Sequence, residues 1–163
     1  YNIQVQQAGV EVKMEEEEEE ETRSVASREE GDERCKVKGD GNGKSSKRKK
    51  KVICYDCNCS ICYMRRNTHF VVPLSKFRIV QGEEKLTTYR YNTRVARHTF
   101  CSICGISSFY YPRSNPDGVA VTLWCLDKRI AEDEDFDVEI RYFDGLNWEQ
   151  NIDKSGISEM SKE

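Results

Sequence analysis

The stretch DCNCSIC, residues 56–62, places three cysteines within six positions of the chain. One residue separates Cys57 from Cys59, and two residues separate Cys59 from Cys62. Residues i and i+2 of an extended strand point the same way, and a tight turn after Cys59 would return Cys62 to that side. Three thiolates can then bind one ion at about 2.3 Å each. The stretch therefore predicts a zinc site.

A second cysteine pair lies in FCSICGISSF, residues 100–109. Cys101 and Cys104 are separated by two residues and followed by Gly105, which is the form of a zinc knuckle. The glycine permits the turn that directs backbone N–H groups at the sulfur atoms. Each of the two motifs is moderately specific alone, and together they indicate metal binding.

The spacing leaves two arrangements of these thiols open. One is a single closed site of four thiolates that leaves Cys57 spare, formed by Cys59, Cys62, Cys101 and Cys104. The other is a three-thiolate site in residues 57–62 and a separate site at residues 101–104. Four thiolates saturate zinc, whereas three leave a position open for a thiol, a water or a carbonyl oxygen, so only the second arrangement supports chemistry.

The charge pattern divides the 163-residue chain. Residues 1–51 contain one aromatic residue, an acidic run at residues 15–21 and a basic run, KSSKRKKK, that begins at Lys44 and ends at Lys51. Such blocks solvate and repel rather than pack, so we predict a disordered charged tail over residues 1–51. We place a zinc-binding domain at residues 52–152 and a C-terminal tail at residues 153–163.

Residues beyond 51 carry the signals of short strands. Seven segments combine β-branched and aromatic residues between turn signals: THFVV, KFRIVQ, KLTTYRYNT, RHTF, SSFYYP, GVAVTLW and VEIRYF. No long amphipathic helix interrupts them. The pattern predicts an all-β domain of about 100 residues, which is small enough that bound metal would add substantially to its stability.

The N-terminal residues contain no apolar segment typical of a secretory signal, and no run is apolar enough to span a membrane. We therefore expect a nuclear or cytoplasmic protein that is not secreted, in a compartment where thiolates are favoured over disulfides. The basic run from Lys44 to Lys51 is typical of a nuclear import signal or a phosphate-binding segment. Because no aromatic residues interleave it, we expect weak electrostatic contact with nucleic acid or chromatin, without sequence-specific recognition.

Other polar and aromatic residues are candidates for the site. His69 is a candidate general base or ligand, whereas a structural hydrogen bond is expected for His98. The PRSNPDG turn, residues 112–118, contains Arg113, which could bind a carboxylate. Five aromatic residues are expected in the core: Phe109, Tyr110, Tyr111, Trp124 and Trp148.

Several segments, in this order, resemble the glutathione-dependent formaldehyde-activating family, particularly its branch that includes centromere protein V: DCNCSIC, NTHFVVP, TTYRYNT, HTFCSICGISSFYYPRSNPDG and CLD. The resemblance runs from about residue 52 to about residue 148. It implies a β-tent of stacked short antiparallel sheets, with a closed structural zinc and a second zinc near the thiol substrate. By this resemblance Cys57, Cys59 and Cys62 bind the reactive zinc, and Cys101 with Cys104 forms half of the structural site.

The resemblance also implies an activity. A carbon–sulfur lyase of this kind joins glutathione to formaldehyde and yields S-hydroxymethylglutathione, so glutathione or another small thiol is the expected partner. The alternative is a non-catalytic nuclear or centromere-associated interaction protein with structural zinc.

The chain departs from the family pattern in one respect. The family has a C-x-C-G motif upstream of CNCSIC that completes the structural site, and this chain has none. Cys35 and Cys54 are the nearby thiols that could substitute. The residues around Cys35 are rich in Gly and Lys and too poor in apolar residues to pack, which favours loss of the half-site. One or two zinc ions per chain are therefore expected.

Overall fold

The computed structural model describes residues 3–7, 10–14, 50–127 and 136–162. Within these residues the chain is mostly strand, with two short helices, α1 (Ser60–Arg65) and α2 (Trp148–Ser155). The strands are β1 (Ile3–Gln7), β2 (Val10–Met14), β3 (Lys50–Cys57), β4 (Thr68–Pro73), β5 (Phe77–Gln81), β6 (Leu86–Arg90), β7 (Arg97–Cys101), β8 (Phe109–Tyr111), β9 (Gly118–Thr122) and β10 (Phe136–Phe143).

The seven predicted strand segments correspond to β4 through β10, and the all-β class is confirmed. Their β-branched and aromatic residues fit a pleated, half-buried surface. A Gly, Pro or Asn residue lies at or within two positions of the end of five of these strands: β4, β5, β6, β8 and β10. The expected tight turn between Cys59 and Cys62 is instead the start of α1.

One seven-stranded sheet holds most of the fold, in the order β10-β3-β4-β9-β8-β7-β6. Its neighbouring strands pair antiparallel, with one exception. Strand β10 pairs parallel with β3 over eight residues, from Phe136 beside Lys50 to Phe143 beside Cys57. The expectation of antiparallel sheets is wrong at this pair. Because parallel strands end at the same edge of a sheet, the residues after Phe143 lie beside those after Cys57.

A smaller sheet of three strands has the order β1-β2-β5. The prediction of disorder throughout residues 1–51 differs from the structure at residues 3–7 and 10–14. These residues form a hairpin whose second strand pairs with β5. The alternation of Ile, Val and Met with polar residues in this segment is an ordinary strand pattern. The acidic run, Cys35 and most of the basic run lie outside the described residues.

The two faces of the large sheet have separate apolar clusters. Alternate residues of a strand point to opposite faces, so Cys54 and Phe109 belong to one cluster while Tyr55 and Tyr110 belong to the other. The first cluster also receives side chains of β5, including Phe77, which stacks the small sheet on the large one. The second cluster includes residues of α1 and α2 and carries the cysteines of the CNCSIC motif.

The C-terminal residues pack against the PRSNPDG turn. Asn115 is fully buried, and its side-chain amide donates to the carbonyl oxygen of Ile157 at 2.8 Å and to the hydroxyl of Ser161 at 2.9 Å. Ile157 and Ser161 are themselves 4% and 3% exposed. The domain boundaries at residues 52 and 152 stay predictions, and this packing favours a later C-terminal boundary.

Replacing Asn115 with alanine should lower the free energy of unfolding by about 2–3 kcal/mol, because it leaves buried groups without a hydrogen-bond partner. Urea unfolding monitored by circular dichroism measures the change. Asn151→Ala is the matched control, since Asn151 is only half-buried and its hydrogen bonds are 3.1 to 3.4 Å long. Equal effects of the two substitutions would contradict the anchoring role of Asn115.

Candidate active site

Three sulfur atoms converge where β3 ends and α1 begins. Cys57 is the last residue of β3, Cys59 precedes α1 in an extended conformation, and Cys62 lies in the first turn of α1. Their Sγ atoms all lie within 4.8 Å of one another. Among the described residues, this is the one group of three or more His, Cys, Asp or Glu side chains close enough to hold a metal ion together.

Contact among these thiols separates their acidities. The thiols of Cys57 and Cys62 stabilise a thiolate at Cys59 and lower the pKa of Cys59, as do the backbone N–H groups of Cys62 and Ile61. The same contact with Cys59 raises the pKa of Cys57 to about 11, and contacts with Cys57 and Cys59 raise the pKa of Cys62. The cluster alone therefore favours one negative charge, and a bound cation would favour three thiolates.

The turn after β10 closes one side of the sulfur cluster. Asn58 donates to Asp144 Oδ1 at 2.9 Å and also contacts the hydroxyl of Tyr142, while its own Oδ1 accepts from the backbone N–H of Leu146 at 3.0 Å. These bonds hold Gly145 against the cluster. A Cβ atom on Gly145 would lie 2.4 Å from Cys57 Sγ, so the approach requires glycine.

Two buried histidines and a tyrosine form a wall beside the cluster. His69 and His98 are each 4% exposed, and the His98 ring stacks on the Tyr110 ring at 4.7 Å. His69 donates from Nδ1 to the carbonyl oxygen of Asn67 at 3.3 Å, so its Nε2 accepts from the Tyr110 hydroxyl at 3.0 Å. Burial lowers the pKa of His69 to about 4, and burial with the charge of Arg65 does the same for His98. Both rings are thus neutral at neutral pH.

The cluster and this wall line a cleft of about 360 Å³. The rest of the lining includes residues of α2 and of two loops before it in the chain: Tyr91, Asn92, Thr93, Ala96, Pro112, Arg113, Ser114, Trp148 and Glu149. Arg113 lines the cleft with its guanidinium carbon 3.4 Å from the centre of the Trp148 ring. The cleft is large enough for a small molecule that reaches the sulfur atoms.

Comparison with protein families identifies the chain. The family model described as glutathione-dependent formaldehyde-activating enzyme matches residues 44–143, which include all three cysteines of the cluster. The chain belongs to the glutathione-dependent formaldehyde-activating family. The fold is also similar to the crystal structure of a protein from Rhodobacter sphaeroides, with a TM-score of 0.51 and 24% sequence identity. That match covers 83% of this chain and 94% of the other, and shows likeness of fold.

The donor set of this family member fits a zinc ion. Sulfur atoms bound tetrahedrally to one zinc at about 2.3 Å lie about 3.8 Å apart, so the observed group within 4.8 Å would need only small side-chain shifts. All-thiolate ligation favours zinc over magnesium or calcium. Cys57, Cys59 and Cys62 are therefore the residues that could hold a metal.

The other candidate cysteines lie apart from the cluster. Cys54 is fully buried in the apolar cluster on the opposite face of the sheet, where burial raises its pKa to about 11. Cys101 is buried and Cys104 exposed, and the backbone N–H of Ile103 donates to Cys101 Sγ at 3.4 Å, as in a zinc knuckle. The four-thiolate arrangement is not seen, since the structure groups Cys57 with Cys59 and Cys62 instead. Cys35 lies outside the described residues.

Sequence reasoning did not find three contributors to the site. Gly145 and Asn58 act through the parallel pairing of β3 with β10, which no local pattern reveals. Tyr110 was expected in the core, and it is buried, but its hydroxyl contacts His69 in the wall of the cleft. Trp124 was expected in the core and is 69% exposed. The FDG turn after β10 was the only sequence signal that could have suggested Gly145.

Gly145→Ala should weaken metal binding about tenfold or more, the scale seen when groups packed around metal ligands are altered. The added methyl group would overlap Cys57 Sγ and displace a ligand. Competition with a chromophoric zinc chelator measures the affinity. Gly118→Ala is the matched control, because its methyl group would crowd Ser161, Val72 and Val71 instead. Loss of stability with unchanged zinc affinity is expected for the control, and the same result for Gly145→Ala would refute the prediction.

The free energy of unfolding should fall as the pH is lowered from 6.5 to 4. The first value is the ordinary pKa of histidine, and burial lowers the pKa of His98 in the folded chain to about 4. In that range the unfolded chain binds a proton that the folded chain does not, so acid favours unfolding. Urea unfolding at pH 5 and pH 7 measures the difference in free energy. His98→Gln removes this contribution and should show a smaller difference than the wild type. An identical difference in both proteins would show that His98 is not buried in its neutral form.

Proposed function

We propose that this protein binds zinc through Cys57, Cys59 and Cys62 and promotes the addition of the glutathione thiol to formaldehyde, a carbon–sulfur lyase reaction. The observation that carries the proposal is the convergence of three sulfur atoms at a cleft. Three thiolates leave zinc one open position, which could face that cleft. Membership of the family supports the choice of substrates.

The reaction forms one carbon–sulfur bond and breaks the carbonyl π bond. The thiol proton finishes on the former carbonyl oxygen, and the product is S-hydroxymethylglutathione. When bound, zinc would lower the pKa of the thiol or polarise the aldehyde. The protein residues then have to hold the two reactants together, and the cleft between the sulfur cluster and the wall of Tyr110 and His98 is suited to this.

The hydroxyl of Tyr110, in the wall of the cleft, is suited to proton movement. The Tyr110 hydroxyl donates to His69 Nε2, and its oxygen retains a lone pair that can accept from a ligand. His69 is a poor candidate for the base itself, because burial lowers its pKa to about 4 and both ring nitrogens are engaged. We propose that His69 orients Tyr110 rather than taking the thiol proton.

The basic run has a partly structural role. Its last two residues, Lys50 and Lys51, belong to β3, and Lys51 forms an ion pair with Glu139 of β10. Contact of the other lysines with nucleic acid, and a nuclear or cytoplasmic location, stay predictions. Among the described residues, no helix has the length and apolar character needed to cross a membrane.

The test compares reaction rates in zinc-loaded protein. Thiols add to formaldehyde readily in water, so the rate of interconversion of glutathione and S-hydroxymethylglutathione must be measured at equilibrium, by exchange NMR, against a protein-free sample. The wild type should accelerate it. Cys59→Ser should return the rate to the protein-free value, because it removes a central ligand.

Cys125→Ser is the matched control. Cys125 is half-buried outside the cluster, and its thiol donates to the Ser107 carbonyl oxygen at 3.8 Å, a contact that serine can retain. This variant should keep the wild-type rate. Zinc-loaded wild type that gives no acceleration would refute the catalytic proposal and favour the non-catalytic interaction protein.

A further inference from the structure

Arg113 is held on a rigid loop that lines the same cleft as the sulfur cluster. It follows β8 in the PRSNPDG turn, two residues before the fully buried Asn115. Asn115 bonds to Ile157 and Ser161 and accepts from the Ser114 hydroxyl at 2.7 Å. The loop therefore has little freedom, and the position of the Arg113 backbone is fixed before any ligand binds.

The guanidinium group of Arg113 is fixed as well, on two sides. It stacks on the Trp148 ring at 3.4 Å, and Nη1 donates to Glu149 Oε1 at 2.9 Å. The two partners of the ion pair differ in exposure, since the side chain of Arg113 is 24% exposed and that of Glu149 is 76% exposed. An ion pair with so exposed a partner is weak, so another carboxylate can replace Glu149 at little cost.

Arg113 is also the only cationic side chain among the described residues that line the cleft. Among the described residues that line it, the charged side chains outside the cysteine cluster are Arg113 and Glu149. The two histidines in the lining are neutral, because burial lowers the pKa of each to about 4. A negatively charged group on a ligand that reaches the sulfur cluster thus has one cationic side chain to bind, and a guanidinium binds carboxylates in a planar, two-bond geometry.

We propose that Arg113 is the carboxylate-binding residue of the cleft. Without a ligand Arg113 pairs with Glu149, and a small thiol that bears a carboxylate displaces Glu149 when it binds. The inference rests on the proposed function, because it assumes that the thiol of the ligand reaches the cysteine cluster. The proposal also explains how the cleft would select among thiol ligands. Arg113 favours thiols with a carboxylate over neutral thiols, and Glu149 limits their affinity by competing for the same guanidinium.

The test measures binding of a ligand that cannot react. S-methylglutathione keeps both carboxylates and lacks the thiol, and its diester lacks the two carboxylate charges. The zinc-loaded full chain carries Trp124→Phe in every sample, so that fluorescence reports Trp148 alone, on which Arg113 stacks. Arg113→Gln should weaken binding of the acid about tenfold or more, the loss expected for a charge-assisted pair.

Glu149→Gln should have the opposite effect. Removal of the competing carboxylate should tighten binding of S-methylglutathione about two- to fivefold, in keeping with a weak exposed ion pair. Both variants should bind the diester with the same affinity as the wild type. The monoester of the glycine carboxylate shows which of the two carboxylates is bound, and either answer supports the proposal.

Arg141→Gln is the matched control. Arg141 also forms an ion pair with a glutamate, Glu139 at 2.7 Å, but it is not among the residues that line the cleft. The Arg141→Gln variant should bind S-methylglutathione with the affinity of the wild type. Unchanged binding of the acid by Arg113→Gln, or weaker binding by Glu149→Gln, would overturn the proposal. Neither result would depend on the exchange rate, so failure of the proposed reaction would be recognised separately.

Discussion

The parallel pairing of β3 with β10 is the constraint on which the site depends. It places Phe143 beside Cys57, so that the turn after one strand meets the motif after the other at the same edge of the sheet. Antiparallel pairing would have sent the two to opposite ends. The contact of Gly145 with Cys57 and the bonds of Asn58 to the same turn both follow from this geometry. A site assembled from residues nearly 90 positions apart therefore depends on one strand pair.

The two faces of the large sheet have different roles, because alternate residues of each strand point to opposite faces. One face packs the apolar core, and the other carries the sulfur cluster and the cleft. Cys54 and Cys57 are three residues apart and so face opposite sides, one among apolar side chains and one in the cluster. The same rule holds in β8, where Phe109 is 1% exposed in the core and Tyr110 contacts His69. The core face can therefore hold the sheet together while the other face carries buried polar groups, each satisfied by a partner.

Sequence patterns predicted local features, such as the cysteine motif and the strands, and missed the contacts between distant parts of the chain. The three cysteines lie within six residues of one another, and their convergence follows from the local geometry of a strand end and a helix start. The seven strand segments follow from β-branched and aromatic composition. The residues of a strand do not show which other strand it pairs with. The parallel pairing of β3 with β10 and the contact of Gly145 with Cys57 were therefore not predicted. The predicted burial of Trp124 was also wrong, because a large aromatic residue in the turn after a strand can lie at the surface as well as in the core.

The sulfur cluster also links metal binding to the fold. Cys57 and Cys62 are 7% and 5% exposed, and two of the three thiols have raised pKa values while the third has a lowered one. Adding further negative charge there without a cation is unfavourable, since buried like charges repel. A bound divalent ion would reverse that balance, and its binding free energy would then stabilise the folded chain. Because Cys57 ends β3 and contacts Gly145, this stabilisation acts on the junction of β3 and β10, the pairing that created the site.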